Sequence, residues 1–491
     1  MNYFNLAINI PLEYLIIREV LLRYVSKETL TINDKKFLYP LEYFDKSDLS
    51  LTDKISPDDQ IRFYLSDRVS RKVAELAKKI SDSGVNVISI LAQSSTYPIV
   101  NDFIQALYRM GVSVILIADY AVVNEFKLTE NEVKLTKEII RWEFGNVDIL
   151  HDYIKMIINS GDIYSADHLI EHCLTCFDNY ERSHANLIGT IKNCLNKPIE
   201  AEYYYLKSKE SGDALSIVKA NYALSMLYLR HHKANKLNLE KGRYFLQEAY
   251  DLIKLGKLDY LGQDKKNFYS VFNRNGYGLV LFRDGHSEEA IKLLNWGIKQ
   301  LSDGDSMQHY MHRSVIIYNI CLCYKWLGRY DEAIIYFNQL LEIDYTFPEY
   351  HLELAMCYYE KGDMTSYIEK INNALSVSPL HSDSHYHLSI ELSSSEDDIL
   401  AEKHARLAWE ISGDSITAYN YAHILSLNNN YKMLHRLMQK TSVFLIPEWL
   451  ILQAENIAQY SDKEAFNYLL ECQRIFPEHH LINKNIEMLR V

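Results

Sequence analysis

The sequence is poor in the residues that interrupt helices. Among 491 residues only 17 are Gly and 9 are Pro. A chain with few helix breakers favours long helices joined by short links. At this length the chain is too large for one ordinary hydrophobic core, so we expect two or more structural units.

Basic charge and long apolar runs are lacking as well. The formal net charge is −13, whereas nucleic-acid binding usually needs a basic face, so the composition disfavours nucleic acid as a partner. No apolar run reaches the roughly 18 residues of a membrane span, and we expect none. Residues 1–15 have no basic segment ahead of an apolar stretch, so we expect no secretory signal.

Cysteine is sparse, scattered and odd in number, with seven residues in all. This usage favours reduced thiols in a cytoplasmic protein over a disulfide framework. The cluster formed by His172, Cys173 and Cys176 has the look of a metal motif, but a structural zinc site needs four ligands. We therefore predict buried, unreactive thiols here, and neither a metal site nor a cofactor.

What the chain does contain is an internal repeat. A shift of 34 residues from Tyr324 and Gly328 lands on Tyr358 and Gly362. Further shifts place small residues at Ala333 and Ala401 in register and bring Asn430 to the turn position, where Asn commonly replaces Gly. Related patterns around Gly161, Gly285 and Ala465 extend the repeat in both directions, with loop-like insertions at residues 231–238 and 302–306.

These features resemble the tetratricopeptide repeat family, whose unit is a pair of helices. The first helix of that unit carries an aromatic residue, a Gly marks the turn, and small residues let the two helices approach closely. The resemblance covers residues 147–479 and is clearest over 314–412, although the family's conserved Trp is replaced by Ile317, His351 and His385. It implies about nine stacked helix pairs closed by a C-terminal capping helix at 480–491.

The resemblance also implies a binding surface, because in this family the first helix of each pair lines a concave groove. Carried over to this chain, the groove is aromatic and apolar with a few polar groups, which suits a peptide or protein partner. Its candidate contact residues are Asn275, Phe282, Tyr318, Lys325, Met356, Tyr359 and Tyr386, and Phe272, Leu279, Leu322, Trp326, Leu352, Glu360 and Ile390 share the same face. The alternative is that this surface packs against the N-terminal domain or a second copy of the chain.

The N-terminal region, residues 1–146, lacks the repeat and is predicted to be a small α/β domain. Short strands are expected at residues 5–10 and 29–39, the second with an Asn-Asp turn, and an amphipathic helix at 67–81. Apolar runs at 85–91 and 112–118 flank a helix over 97–110, a strand–helix–strand order typical of a buried parallel sheet. The fold class is therefore mainly α, a tetratricopeptide-like solenoid behind a small α/β domain.

A second candidate site lies at the predicted strand ends, where ligands of parallel sheets bind. Ser94, Ser95 and Thr96 precede a helix N-terminus, a place suited to anions, and Asp119 follows the next strand. Thr96 is also the candidate N-cap of that helix. No dinucleotide-binding glycine motif, P-loop or nucleophile elbow accompanies them.

Three functions fit these observations. The first is a cytoplasmic scaffold or regulatory adaptor that binds protein or peptide in the groove. The second is an enzyme with its site in the N-terminal domain, whose repeats select a protein substrate. The third is a transcriptional regulator, which the acidic balance and the lack of a basic recognition helix disfavour.

Overall fold

The computed structural model describes residues 12–42, 65–91, 97–117, 128–140, 147–210, 212–301, 307–441 and 445–489. The first part holds helices and two strands. Its elements are α1 (Glu13–Leu21), a 3-10 turn (Lys27–Thr29), α2 (Ile32–Leu38), α3 (Leu65–Asp82), β1 (Val87–Leu91), α4 (Pro98–Arg109), β2 (Ser113–Ile117) and α5 (Glu130–Ile140).

The rest of the described chain is a stack of antiparallel helix pairs, in which we call the first helix A and the second helix B. The pairs are α6 (Val147–Ser160) with α7 (Ile163–Cys176), α8 (Tyr180–Cys194) with α9 (Pro198–Lys209), α10 (Ala214–Met226) with α11 (Leu239–Lys254), α12 (Gln263–Arg283) with α13 (Ser287–Gln300), α14 (Met307–Trp326) with α15 (Tyr330–Ile343), α16 (Pro348–Glu360) with α17 (Met364–Val377), α18 (Ser382–Ser394) with α19 (Asp398–Ser412), α20 (Ser415–Leu427) with α21 (Tyr431–Lys440), and α22 (Pro447–Ala458) with α23 (Asp462–Ile475). A last helix, α24 (His480–Leu489), packs on α23.

This stack is the predicted helical solenoid, with nine pairs among the described residues. Small side chains at Ala290, Ala333 and Ala401 are fully buried between helices A and B. Because each pair buries its remaining apolar face against the next pair, the core continues along the stack. None of the helices in the described ranges is long and apolar enough to cross a membrane.

Seven of the nine turns between helices A and B in the described chain use left-handed backbone, as the Gly spacing predicted. Gly328 and Gly362 have φ of +69° and +76°. The prediction for Asn430 was wrong by one residue, because the left-handed residue is Asn429 (φ +54°), whereas Asn430 caps α21 by accepting from the N–H of Met433. In the preceding pair Glu396 takes this conformation (φ +60°) without help from Gly or Asn.

The predicted insertion at residues 231–238 is largely helical. A π-helical turn (Leu227–His231) extends α10, and a 3-10 turn (Ala234–Lys236) follows it. Tyr228 and Lys236 from this segment bind the carboxylate of Glu202 on the preceding helix B. These contacts fasten the insertion to the stack. The other insertion, 302–306, lies outside the described residues.

The predicted strand–helix–strand unit is present, but its strands are not fully buried. β1 and β2 pair in parallel, with Val87 opposite Ser113 and Leu91 opposite Ile117. Helix α4 contacts β2, and α3 packs against α4, with Val69, Val73 and Ile80 of its predicted apolar stripe buried. Ile88 and Ile90 of β1 are buried on one face of the sheet, whereas Val87 and Ile115 on the opposite face are exposed, so the expectation of apolar cover on both sides was wrong.

The strand expected over residues 29–39 is instead a 3-10 turn followed by helix α2. Thr31 caps α2 by accepting from the N–H of Asp34, whose carboxylate accepts the N–H of Thr31 in return. This reciprocal capping box satisfies two helix-end donors, so Asp34 promotes a helix here and not a hairpin turn. The strand expected at 5–10 lies outside the described residues.

The N-terminal elements share one hydrophobic core with the first helix pairs. That core includes side chains from Leu12 to Cys194 and also Ile411 of α19. The core thus crosses the predicted boundary between residues 146 and 147, and the division into 1–146, 147–479 and 480–491 stays a prediction.

Contacts far apart in sequence also join the N-terminal elements to the later repeats. Arg71 pairs with Glu349 at 2.9 Å, Arg109 donates to the carbonyl oxygen of Glu410 at 3.1 Å, and the amine of Lys440 donates to the carbonyl oxygen of Tyr108 at 3.2 Å. All three contacts in the repeats fall where a helix A begins or a helix B ends. The N-terminal elements therefore rest on the edge of the stack formed by the links between pairs.

Candidate functional site

The predicted strand-end site falls mostly outside the described residues, which exclude Ser94, Ser95, Thr96 and Asp119. What the structure does show is the helix that follows. Its N-cap is Tyr97, so the assignment of Thr96 as the cap was wrong.

A buried carboxylate occupies the N-terminus of α4. The N–H of Ile99 donates to Oε2 of Glu13 at 2.7 Å. Burial, with a further contribution from Asp162, raises the pKa of Glu13 to about 9. The sequence analysis proposed this helix N-terminus as a site for an anionic ligand. In the structure, a carboxyl group of the chain itself binds there.

Glu13 belongs to a buried polar cluster that no sequence motif predicted. Its backbone N–H donates to the hydroxyl of Ser165 at 2.9 Å, and that hydroxyl donates to Asp162 at 2.6 Å. Burial raises the pKa of Asp162 to about 6. These bonds join α1, α4 and α7, so the cluster fastens the N-terminal elements to the first helix pair.

Hydrogen bonds along the A helices build the predicted groove. The side chains of Asn319 and Asn275 connect α14 to α12, with 2.8 Å between Nδ2 and Oδ1. Tyr318 and Lys325 of α14 both contact the carboxylate of Glu353 on α16. Successive A helices are therefore linked into one continuous surface.

Two of the predicted groove residues, Asn275 and Lys325, take part in these links between A helices. Asn275 is only 5% exposed, because its amide lies at the interface with α14. Lys325 is half-buried and ion-paired with Glu353. Both side chains position the A helices.

Each of three successive A helices exposes one large apolar side chain that belongs to the predicted groove. Trp326 is 73% exposed, Tyr359 48% and Ile390 41%. The ring of Phe282 on α12 lies 5.8 Å from that of Trp326. We call Trp326, Tyr359 and Ile390 the exposed row.

Tyr359 stands on a packed aromatic base. Its ring lies 5.2 Å from that of Tyr367, which is almost fully buried in α17. Met356 packs on the same hydrophobic cluster, and Tyr386 of α18 is half-buried beside His387. The predicted groove residues of α16 and α18 are thus held in a rigid setting.

On α16 the N-terminal elements contact one end of the helix, and the exposed row lies at the other end. Glu349, which pairs with Arg71, is the second residue of α16, whereas Tyr359 is the last but one. Trp326 is likewise the last residue of α14. The observed intramolecular packing therefore uses the other edge of the stack and does not account for the exposed row.

The cysteine and histidine clusters of the sequence are mostly buried or half-buried side chains, and in the described ranges they are not arranged as metal ligands. Cys173 is buried and burial raises the pKa of its thiol to about 11, whereas Cys176 is exposed. The imidazoles of His385 and His404 lie 2.8 Å apart between their Nδ1 atoms, and burial lowers the pKa of His385 to about 4. Over the described ranges no three His, Cys, Asp or Glu side chains are grouped as metal ligands.

Solved structures similar to this chain come from repeat proteins. They include pilF of Pseudomonas aeruginosa (16% identity, TM-score 0.34, covering 51% of this chain and 98% of that one) and a tetratricopeptide repeat protein from Parabacteroides merdae (12% identity, TM-score 0.34, 57% and 99%). Yeast Tom70 is a third (13% identity, TM-score 0.30, 73% and 92%). No family model and no curated protein matches the chain.

These identities and TM-scores are too low to support any inference about the function of this chain. The fold of this chain is a tetratricopeptide-like solenoid because of its own helix pairs, left-handed turns and small interhelical residues.

Proposed function

We propose that this chain is a scaffold or regulatory adaptor that binds a protein or peptide in the groove of helices α12, α14, α16 and α18. The observation that carries the proposal is the exposed row. Large apolar side chains are usually buried, and contiguous exposed ones mark interaction surfaces. Trp and Tyr are also the residues that most often dominate binding energy.

The packing beneath the row supports the same function. A binding surface works best when its anchors are already ordered, because little conformational entropy is then lost on binding. The bonds from Tyr318 and Lys325 to Glu353, and the ring contact of Tyr359 with Tyr367, hold this surface in place before any partner arrives.

Affinity capture with matched variants tests the proposal. The intact protein is compared with Trp326→Ala and with Tyr318, Lys325 and Tyr359 changed to Ala together. The control is Ile335→Ala, since Ile335 is 57% exposed but lies on helix B of the same pair as Trp326. A partner kept by the control and lost by both groove variants supports the proposal, whereas a partner held equally by all four proteins contradicts it.

A further inference from the structure

The groove next to Tyr359 has unbalanced negative charge. The basic residues of the stretch 348–394 are Lys361 and Lys370, which pair with Asp331 and Glu369. The next cation along the groove, Lys325, pairs with Glu353. These pairs leave the described groove without a spare positive charge beside Tyr359.

Two carboxylates of this part of the groove have no ion pair within the described chain. Glu360 directly follows Tyr359 at the end of α16 and is exposed. Glu391 lies on α18, adjacent to the exposed Ile390. An unpaired carboxylate beside aromatic rings is favourable for a cation, and unfavourable for an acidic partner.

Tyr359, Tyr367 and Glu391 lie near one another. Besides burial, Glu391, Tyr359 and Tyr386 all raise the pKa of Tyr367, to about 12, so these side chains lie within electrostatic range of one phenol. The rings of Tyr359 and Tyr367 are in contact at 5.2 Å. Aromatic faces next to a carboxylate attract ammonium and guanidinium groups, by cation–π and ionic attraction together.

We propose that the groove binds an extended basic segment of the partner protein and seats a lysine or arginine side chain against Tyr359 and Tyr386, close to Glu360 and Glu391. This inference rests on the proposed function of the groove, and it adds the chemistry of the partner. The exposed indole of Trp326 then receives an apolar side chain of the same segment.

A library of random 12-residue peptides displayed on phage provides the test. Peptides are selected on the full chain, and those that still bind Trp326→Ala are discarded. The remaining peptides are expected to be enriched in Lys or Arg. Their affinity, measured by fluorescence anisotropy, should fall about tenfold in Glu360→Gln/Glu391→Gln, because this variant loses the ionic attraction to the carboxylates and keeps the tyrosine rings.

Two controls make the result specific. Glu342→Gln removes an exposed carboxylate from α15, the helix B that pairs with α14, and should leave the affinity for the selected peptides unchanged. Replacing the enriched Lys of a peptide by norleucine should lower the affinity by more than this factor with the intact protein, and by less with the double variant, in which only the cation–π attraction is left to lose.

The other outcomes separate this inference from the proposed function. Trp326-dependent peptides without Lys or Arg, or with equal affinity for the Glu360→Gln/Glu391→Gln variant, would overturn the basic partner and leave the groove as a binding site. If no selected peptide depends on Trp326, both the inference and the proposed function fail.

Discussion

Gly413 allows a direct test of how the N-terminal elements are held on the repeats. It ends α19 with φ +66°, and its N–H donates to the carbonyl oxygen of Trp409. A Cβ at this position would lie 2.5 Å from Cζ and Nη1 of Arg109. Arg109 at present donates to the carbonyl oxygens of Glu410 at 3.1 Å and Ile411 at 3.4 Å.

Gly413→Ala should therefore cost more than a left-handed alanine alone. The conformation itself costs about 1–2 kcal/mol. The guanidinium must also move and lose its bonds to the two carbonyl oxygens, and bonds to a charged group contribute about 1.5–3 kcal/mol. Since Arg109 is partly exposed, we take the low end and expect a total of about 3 kcal/mol.

Gly328→Ala is the matched control. Gly328 has φ +69°, and a Cβ there would meet no atom within 4 Å, so only the conformational cost applies. Hydrogen exchange followed by mass spectrometry measures the local opening free energy, in α4 and α19 for Gly413→Ala and in α14 and α15 for Gly328→Ala. When Arg109 is also changed to Ala, the guanidinium is absent, so the free-energy cost of Gly413→Ala should fall to that of Gly328→Ala. Equal costs at the two glycines, or no change in that background, would refute the reasoning.

Two further predictions concern buried charge in the N-terminal elements. Arg18→Met should destabilise them by about 3–5 kcal/mol, because it removes both bonds from Arg18 to Glu132 (2.7 and 2.9 Å) and leaves a buried carboxylate without its cation. Hydrogen-exchange rates of α1 and α5 measure this loss. Arg18→Met/Glu132→Leu should recover most of it; no recovery would show that the ion pair is stabilising in itself. For Glu13 the folded-state pKa of about 9 exceeds the unfolded value of 4.5, so its contribution to stability is present below pH 4.5 and is lost as pH rises toward 9. Glu13→Gln keeps an acceptor for Ile99 and should flatten that part of the pH profile of thermal unfolding; parallel profiles for the two proteins would contradict the assignment.

The repeats could be predicted from sequence because their signals are local. A Gly at four of the nine A–B turns and a small residue one turn into helix B recur in the sequence, and both follow from the geometry of a single helix pair. Where the turn uses Glu396 in left-handed conformation, that signal disappears, and at Asn429 it is off by one residue. Such positions depend on packing of the whole pair and not on local preference.

The N-terminal elements were harder because competing local signals had to be weighed. Asn33 and Asp34 suggest a turn, but the pairing of Thr31 with Asp34 forms a capping box and the segment is helical. The contacts of Arg109 with Glu410 span about 300 residues of sequence, and no local pattern announces them.

In the candidate groove, too, some features could be predicted from local sequence and others depend on packing between helices. The resemblance to repeat proteins placed Tyr318, Lys325 and Tyr359 on one face, which follows from helix periodicity. Which of them remain available for a partner depends on neighbouring helices: Lys325 is neutralised by Glu353, whereas Tyr359 is exposed. Sequence reasoning likewise placed Trp326 on this face without marking its exposure.

Site-specific photo-crosslinking tests the central claim, that the groove face of the A helices is the binding surface. p-Benzoylphenylalanine replaces Trp326 in one protein and Ile335 in another, so the same reactive group is presented on helix A and on helix B of one pair. We expect a crosslinked partner in native extract from position 326 and none from position 335. A partner crosslinked from position 335 alone, or from both positions equally, would contradict the account.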